Sequence, residues 1–185
     1  MKRIYVVAVG DVDEAILQSV EVCLWQTYGM DVVRMKSLAE PAFAFDALRG
    51  QFGSTAILQD LLARCPSDAS RFLGLTERDL FIPMLSFVYG QAQLNGKVAL
   101  LSVARLRQEF YGLEPEPDRT IERVIRETLH EIGHTFGLIH CLKPECAMAL
   151  ATNIQQLDAK ALEYCPGCST VLSQTLTSKR TEVRP

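Results

Sequence analysis

The chain has 185 residues, a formal net charge of −3, 48% hydrophobic and 22% charged residues. That is the balance of a globular protein long enough to bury a sizeable core, and it excludes low-complexity disorder over most of the length. No broad basic field is present, which removes nucleic acid and anionic membrane as default partners, and no stretch approaches the ~20 apolar residues of a membrane span.

Residues 4–9 are apolar and mostly β-branched, and Gly10 and Asp11 end the run. The run is too short for a secretory signal, despite Lys2 and Arg3 before it, and has the look of a central strand covered on both faces. The chain is therefore expected in the cytoplasm, where its six cysteines stay reduced and favour metal over disulfides. Residues 13–28 follow as an amphipathic helix, with Ile16, Val20, Leu24 and Tyr28 on one stripe. Residues 30–35 read as a second strand, so the chain opens β-α-β, as a parallel pair joined by a helical crossover.

Residues 41–53 carry no clear period and are broken by Gly50 and Gly53. Ser54 is a candidate N-cap for a helix to about Arg64, with Ile57, Leu58, Leu61 and Leu62 as its buried face and Cys65-Pro66 as its end. Residues 80–85 form a strand candidate that Pro83 confines to an edge or a bend. Asn95-Gly96 between the apolar runs 87–92 and 97–104 signals a hairpin. Residues 113–118 are a loop, and Asp118 is a candidate N-cap for a long helix from Arg119. Ile121, Val124, Ile125, Leu129, Ile132 and Phe136 give that helix an apolar stripe. Beyond residue 137 the chain looks irregular and rich in cysteine. One α/β domain spanning 1–185 is expected. Residues 1–137 form its N-terminal portion, 138–175 a metal-stapled C-terminal segment, and 176–185 a polar, mobile tail.

The chemistry is concentrated between residues 128 and 141, where HExxHxxGxxH contains all three histidines of the chain. His130 and His134, four apart on a helix, share one face and can bind one metal. Glu131 lies about 100° around the helix, where it can flank the metal and take a proton from water without replacing a ligand. Gly137 lets the chain leave the helix through a left-handed turn, which returns His140 as a third ligand. Three protein ligands leave a fourth position open for water, the mark of a catalytic rather than a structural zinc. Chance would assemble these five positions in on the order of one chain in 10^5.

Cysteine supplies a second signal. Cys141 and Cys146 form C-x4-C, and Cys165 and Cys168 form C-x2-C. Two close pairs at this spacing match a closed, four-thiolate structural zinc, giving two zinc ions per chain. Disulfides, or a redox pair at Cys165 and Cys168, are the alternatives, although Pro166-Gly167 inside that pair suggests a turn. Because Cys141 directly follows His140, the cysteine site should help fix the third histidine. Cys23 and Cys65 remain as core residues, since no histidine is left to activate a thiol.

The run from His130 to His140, continued by Cys141, Cys146, Met148 and a distal Cys165-x2-Cys168, resembles the archaemetzincin family of metzincin zinc metalloproteases. The pattern covers about forty residues, with the gap between Met148 and Cys165 one residue shorter than the family pattern. The resemblance implies a metzincin-like twisted mixed sheet, an active-site helix and a smaller C-terminal region. It also implies zinc-dependent hydrolysis of peptide bonds, a peptide or protein substrate, and Met148 as the methionine of the Met-turn beneath the metal. By analogy with the clan, an edge strand would pair with substrate, with 97–104 as the candidate, and Tyr164 would be either an oxyanion donor or a structural aromatic. Two other functions stand beside this one. A non-catalytic zinc module that recognises a protein or peptide partner would not need Glu131. A zinc-ribbon nucleic-acid binder would want basic residues around the cysteines, which the chain lacks.

Overall fold

The computed structural model describes residues 2–181, the last four through the backbone alone. The chain opens with β1 (Arg3–Ala8), α1 (Glu14–Tyr28) and β2 (Asp31–Arg34), and β1 and β2 pair in parallel. Asp13 caps α1 by accepting from the Ala15 N–H, and Gly29, at φ 59°, ends it in the left-handed conformation that glycine tolerates. The expected stripe of Ile16, Val20, Leu24 and Tyr28 is buried.

A small second sheet occupies the stretch that had no clear period. It joins β3 (Phe45–Asp46), β4 (Gln51–Gly53) and β6 (Leu80–Phe81). The strand expected over 80–85 therefore ends after Phe81, just before Pro83, which has no N–H for a ladder. Helix α2 (Ser54–Arg64) starts at Ser54 itself, one residue earlier than a cap at Ser54 would give. Gly53 holds the cap position, and the Ser54 hydroxyl donates to Gln91 Oε1 at 2.7 Å. Leu62 is exposed rather than buried with the rest of its expected face.

The main sheet has the order β2-β1-β5-β8-β7, where β5 is Ala69–Thr76, β7 is Gly90–Ala92 and β8 is Val98–Ser102. All pairs are parallel except β7 with β8. Strand β5 has no clear signal in the sequence, because Ser70, Arg71 and Gly74 interrupt its apolar run. Two of these interruptions have packing roles. Arg71 lies 3.7 Å over the Phe136 ring, and a Cβ at Gly74 would come within 2.5 Å of Leu61. The hairpin at Asn95-Gly96 forms as expected, with Asn95 at φ 54°. The edge assignment, however, is reversed. β8 is paired on both sides and wholly buried, and the edge at this end of the sheet is β7, with β2 at the other end.

Helix α3 (Pro117–Thr135) packs with α1 on one face of the sheet and α2 on the other, where Val7, Phe72 and Leu100 meet Ile57 and Leu61. It begins at Pro117, which needs no N–H partner in a first turn, so Asp118 sits inside the helix beside its positive end rather than capping it. Beyond it the chain is more regular than expected, with α4 (Ile154–Asp158) and α5 (Pro166–Thr181). The buried Arg123 forks onto Asp158 with two 2.7 Å bonds and fastens α4 to α3. The tail expected from residue 176 is helical through Thr181, and residues 182–185 lie outside the described residues. No helix among the described residues is long and apolar enough to cross a membrane.

Candidate active site

Helix α3 carries His130 and His134 one turn apart, and the left-handed turn at Gly137, φ 92°, returns the chain so that His140 joins them. The three ring centroids are 4.6, 5.0 and 5.2 Å apart. Their ligand atoms lie within 4.8 Å of one another. His130 Nδ1 donates to the Ala147 carbonyl at 2.9 Å, and His134 Nδ1 donates to the Leu138 carbonyl at 2.8 Å. Both Nε2 atoms are then unprotonated, and their lone pairs face each other 3.1 Å apart. Two acceptors that close repel unless a cation lies between them. Burial, above all, pushes His130 down to about 4 and also lowers His134, so both are neutral near pH 7, the form in which an imidazole can bind a metal.

Glu131 is buried, and its carboxylate reaches the same cleft. Burial first, and Glu127 second, hold it well above the usual carboxylate range. Edge strand β7 passes close above it: a Cβ on Gly90 would lie 2.7 Å from Glu131 Cγ and Oε1. Only glycine lets the strand approach so near. The hairpin tip is also docked here, since Asn95 N–H donates to the His134 carbonyl at 2.9 Å. The cleft has a volume of about 530 Å3 and runs between the 85–92 segment and α3, with Ile139 and Leu150 on its rim.

Beneath the histidines lies Met148, wholly buried. A Cβ at Gly133 would meet its Sδ at 2.5 Å, so the thioether rests on the helix backbone between His130 and His134. The Tyr164 hydroxyl donates to the Leu129 carbonyl at 2.6 Å and lies 2.5 Å from the Tyr28 hydroxyl. It is absent from the cleft lining, so its place is that of a structural aromatic under α3.

The four cysteines expected to act together do converge. The ligand sulfurs of Cys141, Cys146, Cys165 and Cys168 lie within 4.8 Å of one another, and none forms a disulfide. The Cys168 backbone N–H, first among its partners, brings the Cys165 thiol down to about 7, while burial raises Cys146 and Cys168. This donor set fits a tetrahedral thiophilic ion. The 146–149 turn links it to the histidines. Ala147 O holds His130, and Met148 O accepts from Cys141 N–H at 2.9 Å.

Sequence reasoning missed two cleft residues, Glu127 and Lys160. Glu127 lies one turn before Glu131, a spacing that could have flagged it, while Lys160 arrives from 30 residues away. Lys160 Nζ donates to Glu127 Oε1 at 3.1 Å, both side chains being almost fully buried.

The peptidase family M54 profile matches residues 46–174. The archaemetzincin of Methanocaldococcus jannaschii is 42% identical over 166 residues, 90% of each chain. The crystal structure of archaemetzincin from Methanopyrus kandleri superposes with a TM-score of 0.83 at 34% identity, covering 95% of this chain and 96% of that one. A zinc-dependent peptidase from Methanocorpusculum labreanum gives the same TM-score at 30% identity, covering 91% and 99%. A histidine triad under an edge strand, a four-cysteine cluster behind it and likeness along almost the whole chain have one common explanation: this protein belongs to peptidase family M54, the archaemetzincins, and is a zinc metallopeptidase.

Proposed function

We propose that the chain cleaves peptide bonds with Glu131 as general base, and that His130, His134 and His140 hold the catalytic zinc. The facing Nε2 lone pairs beside a buried carboxylate in an open cleft carry this reading. When bound there, zinc supplies Lewis-acid polarisation of the scissile carbonyl and eases deprotonation of water. Glu131 takes the proton of the attacking water and passes it to the amine that leaves. Gly90 holds β7 close over that carboxylate, and Met148 supports the helix backbone beneath the histidines. An extended substrate lies along the outer edge of β7, which no other strand covers among the described residues.

The four cysteines hold a second, structural zinc, so the chain carries two zinc ions. It acts as one domain over 1–185. Its free thiols suit a cytoplasmic setting, and its net charge of −3 disfavours nucleic acid. The test is digestion of a diverse peptide library by the zinc-loaded protein beside Glu131→Gln, read by mass spectrometry. Cuts made by the first and missing from the second support the assignment. Equal turnover by both overturns Glu131 as the base.

A further inference from the structure

The connection from β6 to β7, residues 82–89, supplies one wall of the cleft through Leu85, Ser86 and Phe87. Side chains hold its backbone at three carbonyls. Arg49 donates to Leu85 O at 3.0 Å and to Pro83 O at 3.4 Å, and Gln51 Nε2 donates to Ser86 O at 3.0 Å. Arg49 is itself fixed, with its guanidinium 4.4 Å over the Phe81 ring and its backbone N–H on Asp46 Oδ1 at 3.1 Å. This pinned wall nevertheless turns large apolar side chains to water. Leu85, at the cleft, is 52% exposed, Met84 beside it 90%, and Leu48, in the turn that carries Arg49, 100%.

A loop that only joined two strands would present polar residues to water. Holding its carbonyls also blocks the easy escape, in which the loop folds over and buries its own apolar side chains. Single exposed aliphatics are ordinary, but a fixed group of them that runs into a substrate cleft marks a contact. The edge of the sheet says what that contact is. Gln93 N–H donates to Val98 O and Ser102 N–H donates to Tyr89 O, so alternate residues of β7 face β8, and the backbone N–H and C=O groups of Gly90 and Ala92 point outward. A polypeptide paired with those groups and extended past Gly90 meets Leu85 and then Met84. We propose that Met84 and Leu48 form a docking surface outside the cleft for an apolar stretch of the polypeptide being cut, so that long, unfolded chains are favoured over short peptides. The proposal rests on the reading that substrate lies along β7.

The test measures cleavage by the zinc-loaded protein of a short peptide of about six residues, about 20 Å when extended. Beside it run longer versions that carry an apolar Leu-Ala extension or a polar Ser-Gly extension at either end. The variant is Leu48→Ser with Met84→Ser; both side chains are almost fully in water, so its melting temperature should not fall. In the unmodified chain the apolar extension at one end should lower KM about tenfold, the lower end of what covering a large aliphatic side chain contributes. The polar extension should not, and the double variant should lose the gain while cutting the short peptide as before. Equal KM for the two kinds of extension, or a gain that survives in the double variant, would overturn the docking surface and leave the peptidase standing. No cleavage of any peptide would sink the peptidase reading instead. Fluorescence anisotropy of the labelled peptides then still reads the surface: the apolar extension should bind about tenfold tighter to the unmodified chain than to the double variant, and equal binding overturns it. Sedimentation covers the other occupant. A dimer of the unmodified chain that the double variant does not form would assign the patch to a second copy and overturn the proposal.

Discussion

The Nδ1 of His130 donates to the carbonyl of Ala147, 2.9 Å away, and this bond fixes which nitrogen of His130 is free to bind a metal. The acceptor belongs to the turn that carries Met148, and the next carbonyl of the same turn receives the N–H of Cys141. One short segment thus orients a residue of the histidine cluster and a residue of the cysteine cluster.

Replacing Glu131 with Gln keeps the size of the side chain and removes its basicity. Turnover should fall by about 10^2- to 10^4-fold, the usual contribution of a positioned acid-base group. Zinc content, measured by atomic emission, should stay unchanged because Glu131 is not among the ligand triad. Loss of metal together with activity would show that Glu131 acts as a ligand instead.

Gly90→Ala isolates the approach of the edge strand. The new methyl would lie 2.7 Å from Glu131 Cγ and Oε1, and equally near the Leu100 carbonyl. Backbone cannot yield easily, so the carboxylate or β7 must move. Activity should drop by about tenfold or more, since misplacement of about 1 Å costs up to 10^2-fold. Parallel rate and melting measurements check this. A fully active Gly90→Ala would show that the distance between β7 and Glu131 does not matter to the chemistry.

Gly133→Ala tests the support from below. Its methyl would come within 2.5 Å of Met148 Sδ and 3.2 Å of the Tyr164 hydroxyl. Overpacking of this kind costs about 1–3 kcal/mol, read by chemical denaturation. Pairing it with Met148→Ala should recover some of that loss, because the colliding sulfur is gone. No recovery would place the strain at Tyr164 instead.

Much of this site is legible in the sequence. The spacing of His130, Glu131, His134, Gly137 and His140 encodes a helix face followed by a glycine turn, and both are local features. The cysteine pairs announce themselves in the same way. What the pattern does not reveal depends on contacts across the chain. Gly90 matters only because β7 lies over Glu131, and Lys160 only because α4 folds back on α3 through Arg123 and Asp158. Strand β5 is hidden by Arg71 and Gly74, whose reasons lie in Phe136 and Leu61. The edge strand is misread because the hairpin alone does not say which of its two arms faces outward. Five consecutive buried residues in β8 are the mark of a strand covered on both faces, and they leave β7 as the rim.

Cys146→Ser probes the link between the two sites. Cys146 is buried, and its sulfur accepts from the backbone N–H groups of Met148 and Cys165, both at 3.4 Å. Serine is a poor substitute for a thiolate ligand, so zinc content should fall from about two ions to about one per chain. The turn that presents Ala147 O to His130 would lose its sulfur anchor as well. The remaining zinc should then be held more weakly, by about 10- to 100-fold, the usual cost of losing an outer partner of a metal ligand. Competition with a chromophoric chelator measures it. A remaining zinc bound as tightly as before would mean that the 146–149 turn keeps its shape without the cysteine site, and that the two sites share a segment but no stability.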